Sequence, residues 1–139
     1  MSNIVECKFK NVEEFLERTY KLEGVPGFEF QMTRPRVLCV DGYSVSIQAG
    51  KYLYCISDRG LRENAKCFES VELGFPSVED DLINDLAEDP ECPTDTVYGY
   101  VPVNLVNKLM EKHGGIWGVD FGNSDMIWDE VVCNDSKNL

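Results

Sequence analysis

Apolar and polar positions alternate through residues 4–10, and that alternation predicts a strand. Asn11 then stands where a helix N-cap is expected. Val12, Phe15, Leu16 and Tyr20 follow at helical spacing, and Gly24 is placed to close the helix. After a Val-Pro-Gly turn at 25–27, Phe28, Phe30 and Met32 alternate with Glu29 and Gln31 and predict a half-buried strand. The clearest local signal is RVLCVDGYSVSIQA, residues 36–49. Asp41-Gly42 between two alternating runs reads as a two-residue hairpin turn with positive φ at both central residues. That register would pair Val40 with Tyr43, Leu38 with Val45 and Arg36 with Ile47.

Residues 52–56 and 67–75 predict two further strands, the second with Val71, Leu73 and Phe75 on one side. Pro76-Ser77 then announces a helix, with Ser77 as its cap and Asp80 completing an approximate capping box. Val78, Leu82, Ile83 and Leu86 would form its buried stripe. Residues 97–101 read as a strand, and Pro102 or Val103 opens a second good helix with Val106, Leu109 and Met110 facing inward. His113-Gly114-Gly115 ends that helix, and residues 116–121 predict a last strand. The elements amount to one α+β domain over residues 1–121. Its sheet is expected to be mostly antiparallel, around the central hairpin at Asp41-Gly42, with two or three amphipathic helices. Residues 122–139 read as a C-terminal extension.

Composition adds a charge asymmetry. The chain has 139 residues and a net charge of −12. Residues 1–66 are nearly neutral, whereas residues 67–139 carry three Lys/Arg against sixteen Asp/Glu. Between Lys66 and Lys108 there are ten carboxylates and no basic residue. Such a half repels phosphate backbones, which argues against direct DNA or RNA binding. With no long apolar run and no signal peptide, no membrane association and a cytoplasmic location are expected. Six cysteines without a secretory context are expected to be free thiols.

The chain has one histidine, His113, at a helix C-terminus, where it suits the helix dipole better than a catalytic triad. There is no CxxC and no phosphate-cradling glycine loop. No metal and no cofactor are expected, and the protein is read as not an enzyme. Adjacent carboxylates at 79, 80 and 81 would point apart on a helix and could not converge on one ion. The basic and aromatic residues of the neutral half are the better candidates for binding. Guanidinium groups pair with phosphates and aromatic rings stack on bases. Arg36, Arg59, Arg62 and Lys66 are therefore expected to meet phosphates, with Tyr54, Tyr98 or Tyr100 stacking. Gly99, between the last two tyrosines, marks a bulge or a close backbone approach.

YSVSIQAGKYLYC, ESVELGFPS and EDPECPTDTVYGYVPVNLVNKLMEKHGGI, spread over residues 43–116, resemble a group of small phage and prophage accessory proteins. The resemblance implies a counter-defence protein acting in a bacterial host. On that basis the expected function is sequestration of a phosphorylated nucleotide signal of the cyclic ADP-ribose kind, in a homo-oligomer with sites between protomers. The alternative is an acidic inhibitor or nucleic-acid mimic. It would occupy a host defence nuclease or RNA-guided effector through Glu79, Asp80, Asp85 and Glu88.

Overall fold

The first alternating run becomes β1 (Ile4–Phe9) in a computed structural model that describes residues 3–20, 22–28, 30–49, 56–57 and 68–122. Asn11 caps α1 (Val12–Arg18), its side chain accepting the Glu14 amide at 2.8 Å, and Val12, Phe15 and Leu16 are buried. The helix ends at Thr19, well before Gly24, because the Thr19 hydroxyl donates back to the Phe15 carbonyl at 2.6 Å. β2 (Leu22–Glu23) and β3 (Phe30–Gln31) form a small separate ribbon, and Phe28 is exposed.

The other described strands are β4 (Arg36–Cys39), β5 (Ser44–Gln48), β6 (Ile56–Ser57), β7 (Phe68–Gly74), β8 (Val97–Pro102) and β9 (Ile116–Asp120). They join β1 in a seven-stranded sheet, ordered β1-β9-β4-β5-β7, and every pairing in it is antiparallel. β6 and β8 both pair with β7. β5 meets residues 72–74 of β7 and β6 meets residues 68 and 70, so the two lie end to end along one edge while β8 occupies the other. Directly after β8, α2 (Val103–Lys112) buries Val103, Val106, Leu109 and Met110. α1 and α2 are clasped by Asn107, which accepts the Val12 amide at 2.8 Å and donates to Glu13 at 2.8 Å. Both helices pack into one core with Val37, Cys39, Val45, Ile47, Val71, Leu73, Tyr98, Val101 and Val119. The α+β expectation, with a largely antiparallel sheet, therefore matches the described residues.

Two expectations are corrected. The hairpin is closed by three residues rather than two, with Val37 opposite Val45 and Leu38 opposite Ser44. Cys39 donates to the Tyr43 carbonyl, Gly42 donates to the Cys39 carbonyl, and only Gly42 has positive φ. This is a type I turn with a bulge-forming glycine. Val40 is left exposed because its amide bonds to Gly115 and the Asp41 amide to His113, which hold the turn against the end of α2.

The second correction concerns residues 77–88. The expected helix is a series of tight turns ending in a 3-10 turn, Asn84–Leu86. Of its expected buried stripe only Ile83 is buried, and Val78, Leu82 and Leu86 are exposed. The cause is Asp80, whose carboxylate turns inward and accepts the Leu82 amide at 2.9 Å. Local side-chain bonding of this kind competes with helical hydrogen bonding. Ser77, the expected cap, is bonded across to Ser44 instead.

Candidate functional site

Three elements meet around the imidazole of His113. The Asp41-Gly42 turn brings Asp41, the turn segment brings Asp80, and the end of α2 brings His113 itself. Nδ1 lies 2.7 Å from an Asp41 oxygen and Nε2 lies 2.8 Å from an Asp80 oxygen. Lys112 Nζ donates to the same Asp80 carboxylate at 3.0 Å. The Tyr43 ring is stacked on the imidazole, with centroids 3.9 Å apart and planes within 7°.

Two carboxylates can both accept from one imidazole only when both ring nitrogens carry protons, so this geometry belongs to the imidazolium. Burial works against the charged ring, but hydrogen bonds and charge from Asp41 and Asp80 outweigh it and hold the His113 pKa above its usual value. Burial also opposes ionisation of Asp80. The Leu82 amide, His113 and Lys112 outweigh it and hold that carboxyl below its usual range. Asp41 is depressed as well, first by the Tyr43 amide and then by His113. With both nitrogens engaged, the chain's one histidine has no free lone pair to act as a general base. The nearby Cys39 thiol is pushed up to about 12, chiefly by burial and then by Asp41, so it stays protonated and unreactive near neutrality. Among the described residues no group of three His, Cys, Asp or Glu side chains is placed to hold a metal ion. The cluster is a fastening: it ties the hairpin, the turn segment and the helix end together.

The expected nucleotide-binding residues are dispersed. Tyr54, Arg59, Arg62 and Lys66 lie outside the described residues. Arg36 does not present an open guanidinium. It donates to the Ser44 hydroxyl at 2.9 Å and to the carbonyls of Ser44 and Phe75, bracing the start of the turn segment. Tyr98 is fully buried and its hydroxyl donates to the Pro93 carbonyl, so its ring is not available for stacking. Two residues, Gly99 and Tyr100, stand opposite the single residue Glu72, the bulge that Gly99 suggested. The extra residue keeps Tyr98 and Val101 on the core side and leaves Tyr100 exposed, with φ of 54°.

The residues of the acidic alternative divide differently. Glu79, Asp85 and Glu88 are exposed, whereas Asp80 is only 4% exposed and belongs to the fastening. Among the exposed carboxylates stand Val78 (54% exposed), Leu82 (37%) and Leu86 (37%), with Phe75 (47%) at the start of the excursion. The Asp41–His113–Asp80 cluster itself escaped sequence reasoning. Asp41-Gly42 and His113-Gly114 were each legible as local turns, but no spacing signal links residues 72 and 33 positions apart.

No protein-family model, curated protein or solved structure matches the chain. No helix among the described residues is long and apolar enough to cross a membrane.

Proposed function

We propose that the protein is a non-catalytic binding protein that occupies a basic surface of a partner protein through residues 75–95. The observation that carries this reading is the outward display of that segment. Its carboxylates at 79, 81, 85, 88, 89, 91 and 95 are exposed, and no lysine or arginine lies between residues 67 and 107. A field of one sign attracts and orients a partner of the other sign. The resemblance to phage and prophage accessory proteins suggests a host defence nuclease or RNA-guided effector as that partner. The nucleotide-sequestering reading has less support. It keeps Tyr100, but Arg36 and Tyr98 are committed inside the fold and its remaining residues lie outside the described ones.

The test is affinity capture from a bacterial lysate with the wild type and with a Glu79→Gln, Asp85→Asn, Glu88→Gln variant. A specific basic protein is expected on the wild type alone, released in about 1 M salt, where the screening length is about 3 Å. Equal capture by the variant would overturn the reading. A rise in melting temperature with cyclic nucleotides would favour sequestration instead.

A further inference from the structure

The turn segment is rigidly held, yet it turns aliphatic side chains toward solvent. At its start, Ser77 donates its amide to the Ser44 carbonyl at 2.8 Å and its hydroxyl accepts the Ser44 amide at 2.9 Å. Asp80 is locked to His113, Lys112 and the Leu82 amide. Turn bonds follow from Ile83 and Asn84 to the Asp80 carbonyl, and from Leu86 to the Ile83 carbonyl. At its end, Ala87 bridges to Tyr98 and the Glu88 amide donates to the Val97 carbonyl at 2.9 Å. Each of these anchors faces the domain. Val78, Leu82 and Leu86 nonetheless keep part of their apolar surface exposed, interleaved along the chain with exposed Glu79, Asp81, Asp85 and Glu88.

A decoy for a phosphate backbone needs charge alone, and aliphatic groups among the carboxylates would serve it nothing. Interfaces instead place apolar anchors at the centre of a patch with charged groups at the rim. We infer that the partner's binding element is a basic protein segment carrying aliphatic or aromatic side chains between its lysines and arginines. Its apolar groups would dock on Val78, Leu82 and Leu86, and its cations would meet Glu79, Asp81, Asp85 and Glu88. The inference rests on the proposed capture of a basic partner and names the chemistry of that partner. Because the segment is already fixed by its anchors, little ordering is left to be done on binding.

Two fluorescent peptides of equal length and charge test this by anisotropy. One places leucines at helical spacing among lysines and arginines, and the other has serine at each leucine position. The wild type is expected to bind the leucine peptide at least about tenfold more tightly, and to keep that preference as added salt weakens binding to both. A Val78→Ser, Leu82→Ser, Leu86→Ser variant is expected to lose the preference while retaining weak, salt-sensitive binding to both. Val78 is 54% exposed but Leu82 and Leu86 only 37%, so melting of the variant is measured beside the wild type. If it melts lower, the single Val78→Ser variant reads the same preference, reduced in size. Equal affinity for the two peptides would overturn the inference and leave the capture of a basic partner standing. Failure to bind either peptide would overturn both.

Discussion

Replacing Asp80 with asparagine removes one charge from the fastening and keeps its shape. The amide oxygen still accepts the Leu82 N–H, so the loss falls on His113 and Lys112. Hydrogen bonds to charged groups contribute about 1.5–3 kcal/mol each when shielded from water. The His113 side chain is 12% exposed, so its bond counts nearly in full. The Lys112 side chain is 49% exposed, and its share falls to about 0–1 kcal/mol. Asp80→Asn should therefore destabilise the protein by about 1.5–4 kcal/mol, or about 5–14 °C in Tm for a domain of this size. Urea titration should show a lower midpoint at unchanged slope. The effect should also depend on pH. The folded-state His113 pKa is raised, so its contribution is complete below its usual value of about 6.5 and is lost as pH rises through the elevated value. The folded-state Asp80 pKa is lowered, so its contribution is complete above about 3.9 and is lost as pH falls through the depressed value. The gap between wild type and variant should be widest between about pH 4 and pH 6.5 and should narrow toward pH 9. A loss below about 0.5 kcal/mol at pH 6, or a gap that does not change up to pH 9, would refute the imidazolium fastening.

Other substitutions probe the frame around it. A Cβ added at Gly118 would stand 2.9 Å from the Val5 carbonyl oxygen, so Gly118→Ala should cost about 1–3 kcal/mol and speed amide exchange in β1. Arg36→Ala should lower the urea midpoint by the equivalent of about 1–2 kcal/mol, since its guanidinium braces Ser44 and Phe75. Tyr98→Phe removes the bond to the Pro93 carbonyl and should cost about 1 kcal/mol, with faster exchange confined to residues 88–97.

Legibility in the sequence followed how local each signal was. Asn11 and the Val106, Leu109, Met110 stripe of α2 were readable because a cap bond or a helical period lies within a few residues. The bulge at Gly99 was readable for the same reason, since a lone glycine in a strand marks it. The hairpin turn was found but its register was one residue off. What holds its third loop residue is Val40 bonded to Gly115, a partner 75 positions away. Residues 77–88 carried a convincing helical pattern, and Asp80 overrode it by bonding to His113, 33 positions on. Of the apolar stripe, Ile83 is buried as the pattern implies, whereas Val78, Leu82 and Leu86 are exposed. For the candidate site, the exposed carboxylates could be named from sequence. That Asp80 was not one of them could not.

The pairing of β1 with β9 has a consequence for how the chain is made. β9 lies between β1 and β4, so β1 has no sheet neighbour among the described residues until residues 116–120 exist. During synthesis the first strand must wait through more than a hundred residues for its partner, while the β4–β5 hairpin can close almost as soon as it emerges. Completion of the sheet is therefore late, with the slow non-local closure of β1 on β9 coming last. The same adjacency brings Asn3 within 2.7 Å of the Gly122 carbonyl. With the Phe121 amide donating to the Asn3 carbonyl at 2.9 Å, that contact fixes the start of β1 against the end of β9.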